Sequence, residues 1–424
     1  MAAVIAAGPA LDATDAAALR RRAIFELHKY DPQCGDVSVI APFALTLDAP
    51  SWRALAAQAE ALDREMRAAE RAIAADSRAL AALALPLPIR PLASPRFPLA
   101  PSATLARYVR FDFHPTREGW RISEANSDVP SGFGEAGGLG RLFVEHGARG
   151  RVAADPAAAL ADAIAARAGA SGEPVALLYA TAYTDDRQVM LSIRDALAAR
   201  GVTSVLGAPD ALRWSVRGDA SFGPEGARVP LAGVVRNFPA EWLPKLLRGG
   251  WWRFFRGGRT PAANPGLALL SQTKRFPIAC ARLGLDMPAW AAALPETRDL
   301  RDPRVDLSSG EWVLKPALGR VGEDVAVPGV SAPRAWRGVV RAAARRPSRW
   351  VAQRAFETLA IPTPAGAMHP CVGVFVIEGR AAGLYGRLSP TGVTDGAALE
   401  VAVLVEEDRE AARAARGGEH VERI

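Results

Sequence analysis

The chain has 424 residues, half of them apolar, and a formal net charge of +7. No run approaches the ~20 apolar residues that a membrane-spanning helix needs, and the first residues lack the basic segment and apolar core of a secretory signal. We therefore expect a cytoplasmic protein with no membrane partner. The arginines are scattered among acids, without a basic run interleaved with aromatic residues, so a nucleic-acid partner is not expected.

Two helices are predicted in the first hundred residues, over residues 15 to 30 and 51 to 83. In the second, apolar residues recur at steps of three and four, which indicates one buried helical face. These residues are Trp52, Leu55, Ala59, Leu62, Met66, Ala69 and Ile73. The next segment, 83 to 101, has too many prolines for a helix or a central strand, and it predicts an extended connector with a domain boundary near residue 100.

Beyond the connector, strands and helices alternate. Residues 105 to 113 and 120 to 125 predict two strands joined by a turn-rich segment. A strand over 174 to 180, a helix over 187 to 200 and a strand near 202 to 206 form a β-α-β pattern, which is typical of a parallel sheet.

The last part of the chain predicts four short strands, in WVLKPA, RWVAQRAF, CVGVFVIEG and AAGLYGR, with helices over 273 to 283 and 333 to 346. From Glu406 the sequence is charged and predicts a terminal helix or a loose tail. The predicted fold class is therefore α/β (α+β). We divide it into a helical segment with its connector (1–100), a lobe with the hairpin and the parallel sheet (101–260) and a last lobe with the tail (261–424).

Three cysteines, Cys34, Cys280 and Cys371, lie far apart in the sequence. An odd number without a Cys-x-x-Cys pair indicates neither a disulfide framework nor a structural zinc site. We expect buried free thiols.

Polar residues follow a two-residue period on the two strands of the predicted hairpin. Arg110 and Asp112 lie on the first strand, and Glu124 and Asn126 on the second. Alternate residues of a strand share one face, so pairing of the strands would bring all four groups together. Two carboxylates and an amide oxygen suit Mg²⁺, and the arginine suits a phosphate. A solvated hairpin face with a chance ion pair is the alternative that spacing alone leaves open.

Only four of the 52 basic residues are lysines: Lys29, Lys245, Lys274 and Lys315. Lys315 ends a predicted strand and precedes Gly319 and Gly322, whose turn would let backbone N–H groups approach a phosphate. An ordinary glycine-containing hairpin explains the same pattern. Lys274 is predicted at a helix start, with Thr273 as a cap, where an anionic ligand would offset the unfavourable macrodipole. Lys29 and Lys245 lie in no such motif.

In this order, Arg-x-Asp, Glu-x-Asn, the helix-start lysine, Lys-Pro with its GR-x-G loop and a late arginine resemble the synthetase domain of the glutathionylspermidine synthase family. That family has a circularly permuted ATP-grasp fold. In ordinary ATP-grasp enzymes the two ATP lysines precede the metal site, whereas here, as in the permuted family, the metal-site residues come first. The resemblance runs from about Arg107 to about Ala402.

The resemblance implies a set of site residues. The implied magnesium ligands are Asp112, Glu124 and Asn126, with Arg110 beside them. The implied ATP-binding residues are Lys274, Lys315, a phosphate-covering loop over Arg320 to Gly322, and Gln353 near adenine. Arg387 would face the reacting carboxylate. The substrate-side residues are Asp185, Asp186 and Glu241, although capping of the following helix also explains the aspartate pair.

The activity implied by the resemblance is ATP- and Mg²⁺-dependent joining of a small-molecule carboxylate, such as glutathione or a peptide, to an amine, such as a polyamine. An acyl phosphate is the implied intermediate. Val129 stands where the family often has a hydroxyl, which leaves the substrates open. The alternative is a protein of the same fold that binds ATP but has lost turnover and acts as a regulator or scaffold.

Overall fold

The computed structural model of the chain describes residues 5–93, 104–246, 250–320 and 324–407. Its strands, in chain order, are β1 (Ile5–Ala7), β2 (Gln33–Cys34), β3 (Val37–Ser38), β4 (Leu45–Leu47), β5 (Tyr108–Thr116), β6 (Gly119–Asn126), β7 (Arg151–Val152), β8 (Val175–Tyr179), β9 (Ser204–Gly207), β10 (Leu212–Trp214), β11 (Ala220–Phe222), β12 (Val229–Pro230), β13 (Gly233–Asn237), β14 (Ala262–Ala263), β15 (Thr297–Arg298), β16 (Trp312–Pro316), β17 (Trp350–Arg354), β18 (Ile361–Thr363), β19 (Gly366–Ile377), β20 (Arg380–Ser389), β21 (Leu399–Val401) and β22 (Val403–Val405).

The helices are α1 (Ala13–Glu26), α2 (Ala49–Ala75), α3 (Ser77–Ala82), α4 (Gly140–Glu145), α5 (Pro156–Ala168), α6 (Thr184–Ala198), α7 (Arg253–Arg256), α8 (Leu269–Gln272), α9 (Phe276–Arg282), α10 (Pro288–Ala293) and α11 (Pro333–Arg345). A π-helical turn covers Glu135–Leu139, and short 3-10 turns cover Gly169–Ser171, Pro209–Ala211, Ala240–Lys245, Gly266–Ala268 and Pro347–Arg349. Across the described ranges, no helix is both long and apolar enough to cross a membrane.

The largest sheet is antiparallel, with the order β21-β20-β19-β5-β6 and β18 at the side of β19. The predicted hairpin, β5 and β6, forms one edge of this sheet and is confirmed. Successive residues of β5 point alternately into two cores: Val109 and Phe111 pack with the core that contains α2, and Tyr108 packs with the core that contains α5. This alternation follows from the two-residue period of a strand and places the even-numbered Arg110 and Asp112 on the same face as Tyr108.

The predicted β-α-β unit is also confirmed. It is made of β8, α6 and β9, and the two strands are parallel neighbours. They belong to a four-stranded parallel sheet with the order β14-β13-β8-β9. In such sheets ligands bind beyond the carboxyl ends of the strands, and α6, which carries the predicted aspartate pair, begins at that end of β8.

A smaller antiparallel sheet, β15-β17-β16, carries Lys315 and Gln353 on adjacent strands. Its core includes Trp312, Leu314 and Ala343 of α11. Beyond the glycine-containing segment, Ala326 pairs with Leu314 of β16 in a single antiparallel bridge.

Helix α2 confirms the predicted apolar stripe. Leu55, Ala59, Leu62, Met66, Ala69 and Ile73 are all buried, and Trp52 is partly buried against the same core. The carboxylate of Asp48 accepts a hydrogen bond from the backbone N–H of Ser51 (2.6 Å), which caps the start of the helix. Each fully buried leucine on this face contributes roughly 1.5–3 kcal/mol relative to exposure. The helix therefore packs along the large sheet as a structural support.

Two predictions about the N-terminal part are wrong. Residues 87–93 form consecutive turns rather than an extended connector, because Leu85, Ile89 and Ala93 recur every four residues and are buried in the main core. The rest of the predicted connector, 94–101, lies outside the described residues. Cys34 is exposed in the small β2–β3 hairpin, although Cys280 and Cys371 are buried free thiols as expected. Most of the predicted tail, 408–424, lies outside the described residues. The mixed α/β class itself is confirmed.

Candidate active site

The register of the hairpin places the four predicted polar residues in two facing pairs. Arg110 lies opposite Asn126, and Asp112 lies opposite Glu124. Arg110 donates two hydrogen bonds to Asp112, from Nε to Oδ1 (2.7 Å) and from Nη2 to Oδ2 (3.0 Å). The amide nitrogen of Asn126 also donates to Oδ2 of Asp112 (3.1 Å). Arg110 and Asp112 are buried, so this is not a solvated hairpin face.

Arg387 reaches the same carboxylate from β20, two strands away from β5. Its Nη2 donates to Oδ2 of Asp112 (3.0 Å). Between them, on β19, Gly373 pairs with Asp112, and a Cβ built at Gly373 would lie 2.6 Å from Cδ of Arg110. The absence of a side chain at Gly373 therefore gives Arg110 room to lie along the sheet. The buried Asp112 carboxylate holds two guanidinium groups side by side.

The two lysines lie on the other side of Glu124. Lys274 forms an ion pair with Oε2 of Glu124 (3.1 Å) and donates to the carbonyl of Gly319 (2.8 Å). Lys315 donates to the carbonyl of Ser123 (3.1 Å) and to Oε1 of Gln353 (2.6 Å). Burial raises the pKa of Glu124, but Lys274 and Lys315 outweigh it and hold the pKa at about 2. Burial lowers the pKa of Lys315 to about 8, against the attraction of Glu124.

The predicted helix start at Lys274 is wrong. Helix α9 begins at Phe276, with Pro277 in its first turn, and Lys274 lies in the turn between α8 and α9. The hydroxyl of Thr273 accepts from the backbone N–H of Arg275 (3.3 Å) rather than capping a helix that contains Lys274. The position of Lys274 is set instead by a backbone hydrogen bond to the carbonyl of Ala317 (2.8 Å). The macrodipole argument for an anion at Lys274 therefore does not apply.

Two cavities meet at these residues. The first, of about 120 Å³, lies between the small sheet and the hairpin, and both lysines, Gln353 and apolar residues such as Val313 and Phe356 line it. The second, of about 280 Å³, is lined by Arg110 and by several carboxylates. Within the described part of the chain, three residues line both cavities, and these are Glu124, Arg387 and Thr394. A group bound at this junction would face the lysines on one side and Arg110 on the other.

The hairpin oxygens fit Mg²⁺ in their chemistry, since carboxylates and an amide oxygen are the ligands that this ion takes. Asp112, Glu124 and Asn126 come from facing positions of two adjacent strands, and Glu124 faces both cavities. Both carboxylates are bound by side-chain cations, Asp112 by Arg110 and Arg387 and Glu124 by Lys274. No cluster of three or more His, Cys, Asp or Glu side chains with metal-ligand geometry occurs among the described residues. An ion held here would therefore depend on phosphate oxygens for further ligands.

The remaining predicted site residues are Arg320, Glu241, Asp185, Asp186 and Gly322. Arg320 is bound to Glu241, from Nε to Oε1 (3.0 Å) and from Nη2 to Oε2 (3.1 Å), so two residues predicted for different roles are partners here. Asp185 lines the second cavity. Asp186 accepts from the amide of Asn237 (3.2 Å), and its burial raises its pKa to about 7, against the attraction of Arg320. Gly322 lies outside the described residues.

A family model described as glutathionylspermidine synthase preATP-grasp matches residues 43–406. The chain belongs to the glutathionylspermidine synthase family. Among solved structures, one similar chain is a "Putative gamma-glutamylcysteine synthetase" from Methylobacillus flagellatus KT, with 11% identity and a TM-score of 0.40, over 70% of this chain and 80% of that one. A search of curated proteins gave no match.

Membership of the glutathionylspermidine synthase family confirms the resemblance on which the permuted ATP-grasp fold was predicted. The family match begins at residue 43, well before Arg107, where the resemblance in the sequence begins, and it includes helix α2. The family is one of synthetases, which supports a ligase role for the chain. The order of the motifs in this protein, with hairpin first and lysines later, agrees with a permuted member.

Three cavity residues escaped the sequence prediction. Lys29 forms ion pairs with Glu135 (3.1 Å) and Glu400 (2.9 Å), and all three line the second cavity. The scarcity of lysine marked Lys29, but its partners lie 106 and 371 residues away, where no local spacing connects them. The scarcity of lysine was therefore the only signal in the sequence, and the burial of Lys29, which is 5% exposed, is visible only in the structure.

Proposed function

We propose that this glutathionylspermidine synthase family member is an ATP- and Mg²⁺-dependent ligase that joins a carboxylate to an amine through an acyl phosphate. The observation that carries this proposal is the junction of the two cavities at Glu124 and Arg387. On one side lie the cations and the partly apolar wall that a nucleoside triphosphate needs. On the other side lies a polar cavity large enough for small substrates.

In the first step, an oxygen of the substrate carboxylate attacks the γ-phosphorus of ATP, the bond to the bridging oxygen breaks, and ADP leaves. Such a transfer needs positioning and charge neutralisation more than a base. Lys274 and Lys315 would neutralise the phosphates from the first cavity, and Arg387 would stabilise the transferring group at the junction. Arg110 would orient the carboxylate. Magnesium bound by Asp112, Glu124 and Asn126 would add positive charge at the phosphate oxygens.

In the second step, the amine nitrogen attacks the acyl carbon, the carbon–oxygen bond to phosphate breaks, and phosphate leaves as the amide forms. The amine must be neutral when it attacks, and its proton passes to the departing phosphate or to solvent. Asp185 and Asp186 would attract the protonated amine to the cavity before that step. Burial raises the pKa of Asp186 to about 7, so its attraction for the protonated amine should strengthen as the pH rises through neutrality.

Other parts of the proposal follow the family pattern. Gln353, on the wall of the first cavity, would lie near adenine, and the segment from Arg320 to Gly322 would cover the phosphates. Phosphate contact by Arg320 would require release of Glu241, which then becomes available to substrate. The division at residues 100 and 260, the cytoplasmic location and small-molecule substrates such as glutathione, a peptide or a polyamine belong to the same proposal.

The test is ADP release by the full chain with Mg²⁺ and panels of candidate acids and amines, together with calorimetric titration of ATP. We expect ATP binding and ADP release that requires one acid and one amine. The matched variant Glu124→Gln removes a carboxylate from the junction and should abolish release. ATP binding without ADP release across the panels would instead indicate a regulatory or scaffold protein, and no binding at all would contradict both functions.

Replacement of Lys274 or Lys315 by arginine should weaken ATP binding about tenfold or more although the charge is kept. The ammonium of Lys315 fits between the carbonyl of Ser123 and Gln353, and a planar guanidinium is larger and differs in shape. Isothermal calorimetry measures the change. Lys245→Arg is the matched control, because Lys245 is exposed and stacks on Trp242. Unchanged ATP affinity in both site variants would remove the lysines from the proposal.

A further inference from the structure

Lys29 is placed in the second cavity by the segment that follows helix α1. Its backbone N–H donates to the carbonyl of Ala23 (3.1 Å), which turns the chain back after the helix. The ammonium donates to Oε1 of Glu135 (3.1 Å) and to Oε1 of Glu400 (3.0 Å). It is thus held by two carboxylates from distant parts of the chain.

The two carboxylates have the supports of a built cation site. Gln188 donates from Nε2 to Oε1 of Glu135 (2.8 Å), and the hydroxyl of Tyr385 donates to Oε1 of Glu400 (3.1 Å). Burial and the neighbouring Glu135 raise the pKa of Glu400 to about 7, against the attraction of Lys29. Two carboxylates that are this close and buried repel each other unless a cation lies between them. In this protein the cation is the ammonium of Lys29.

The rest of the cavity is rich in carboxylates without such a partner. Asp31, Asp185 and Asp395 also line it, and among the described residues none of the three forms an ion pair with a side-chain cation. Among the lining residues that the structure describes, the other cations are Arg110 and Arg387, and both are bound to Asp112. The carboxylates of the cavity therefore attract ammonium groups. The buried position between Glu135 and Glu400, however, is already filled by the ammonium of Lys29.

We propose that Lys29 is a specificity-determining residue whose own ammonium occupies the cation site formed by Glu135 and Glu400. Because that site is filled, the cavity accepts an amine substrate with one ammonium group fewer than it could bind without Lys29. This inference rests on the proposed ligase function, since it assigns the amine side of that site. Within that function, it narrows the amine substrate from the polyamines of the family pattern to a short monoamine or diamine. Removal of Lys29 leaves two carboxylates that an ammonium of a longer amine can neutralise.

The experiment is calorimetric titration of the full chain, without ATP, with butylamine, 1,4-diaminobutane and spermidine. In the wild type we expect the diamine to bind more tightly than the monoamine. The triamine spermidine should then bind no more than about threefold more tightly than the diamine. In Lys29→Ala we expect spermidine to bind at least tenfold more tightly than the diamine. Lys29→Arg keeps the cation and is the matched control, with the wild-type ranking expected.

A second variant tests whether tighter spermidine binding by Lys29→Ala comes from a vacated ammonium site or from a loosened fold. Lys29→Ala/Glu400→Gln keeps the space but removes one carboxylate, so the gain for spermidine should fall at least threefold. An unchanged affinity ranking in Lys29→Ala would overturn the inference. A wild type that already binds spermidine tenfold more tightly than the diamine would also overturn it, and that measurement does not depend on the folding of any variant. ADP release tests the ligase function separately: a shift in ranking without release refutes only that function, and release without a shift refutes only the role of Lys29.

Discussion

Replacement of Arg387 by methionine should lower the turnover number about 10²- to 10³-fold while ATP affinity changes by less than about threefold. Arg387 lies where the two cavities meet, beyond the lysine pair that faces the nucleotide side. Removal of a positioned group that stabilises charge in the transition state costs about 2.7–4 kcal/mol, and binding of the ground state is affected less. Steady-state ADP release with the active acid–amine pair measures turnover, and calorimetry measures ATP binding.

The structure makes Arg387→Met a clean variant. Asp112, its partner, keeps two hydrogen bonds from Arg110 and one from Asn126, so the buried carboxylate is not left alone. Arg380→Met is the matched control on the same strand, because Arg380 is exposed and its ion pair with Glu60 is long, at 3.7 Å. Turnover within threefold of wild type in Arg387→Met, at unchanged stability, would exclude a role in phosphoryl transfer.

The hairpin was predictable because its chemistry is local. A period of two on each strand and a turn between the strands are visible in the sequence, and together they put Asp112 near Glu124. The sequence did not show that Arg387 shares the same carboxylate. That contact depends on pairing of β19 with both β5 and β20 and on the lack of a side chain at Gly373.

The sequence predictions for Lys274 and Lys29 failed because of contacts between distant residues and, for Lys274, because of one local proline. The sequence predicts a helix start at Lys274, but α9 begins at Phe276. A proline fits in the first turn of a helix, so Pro277 is the local signal for a start at Phe276. The contact that positions Lys274, to Ala317, crosses more than forty residues. Lys29 is the extreme case, since its two partners come from a π-helical turn and from a late strand. Local spacing cannot place charges that the fold brings together.

The hairpin is also joined to the parallel sheet by a buried ion pair. Nη2 of Arg236 on β13 lies 2.5 Å from Oδ1 of Asp128, and both side chains are 0% exposed. Asp128 lies two residues after the end of β6 and also accepts a hydrogen bond from the backbone N–H of Ala240 (2.8 Å). Its pairing with Arg236 makes Asp128 a connection between two sheets, and no local spacing in the sequence indicates that contact.

Replacement of Arg236 by methionine should therefore lower the free energy of unfolding by about 3–5 kcal/mol, because the Asp128 carboxylate would stay buried without its main counter-charge. Urea denaturation followed by tryptophan fluorescence measures the loss. Arg167→Met is the matched control: Arg167 pairs with Glu378 at the surface, with side chains 41% and 31% exposed, and such a pair contributes under about 1 kcal/mol. The double variant Arg236→Met/Asp128→Leu should recover part of the loss, since no lone charge remains, although the bond to Ala240 is gone. Equal stability of Arg236→Met and Arg167→Met would show that the two sheets are held together by apolar packing and that the buried pair contributes little.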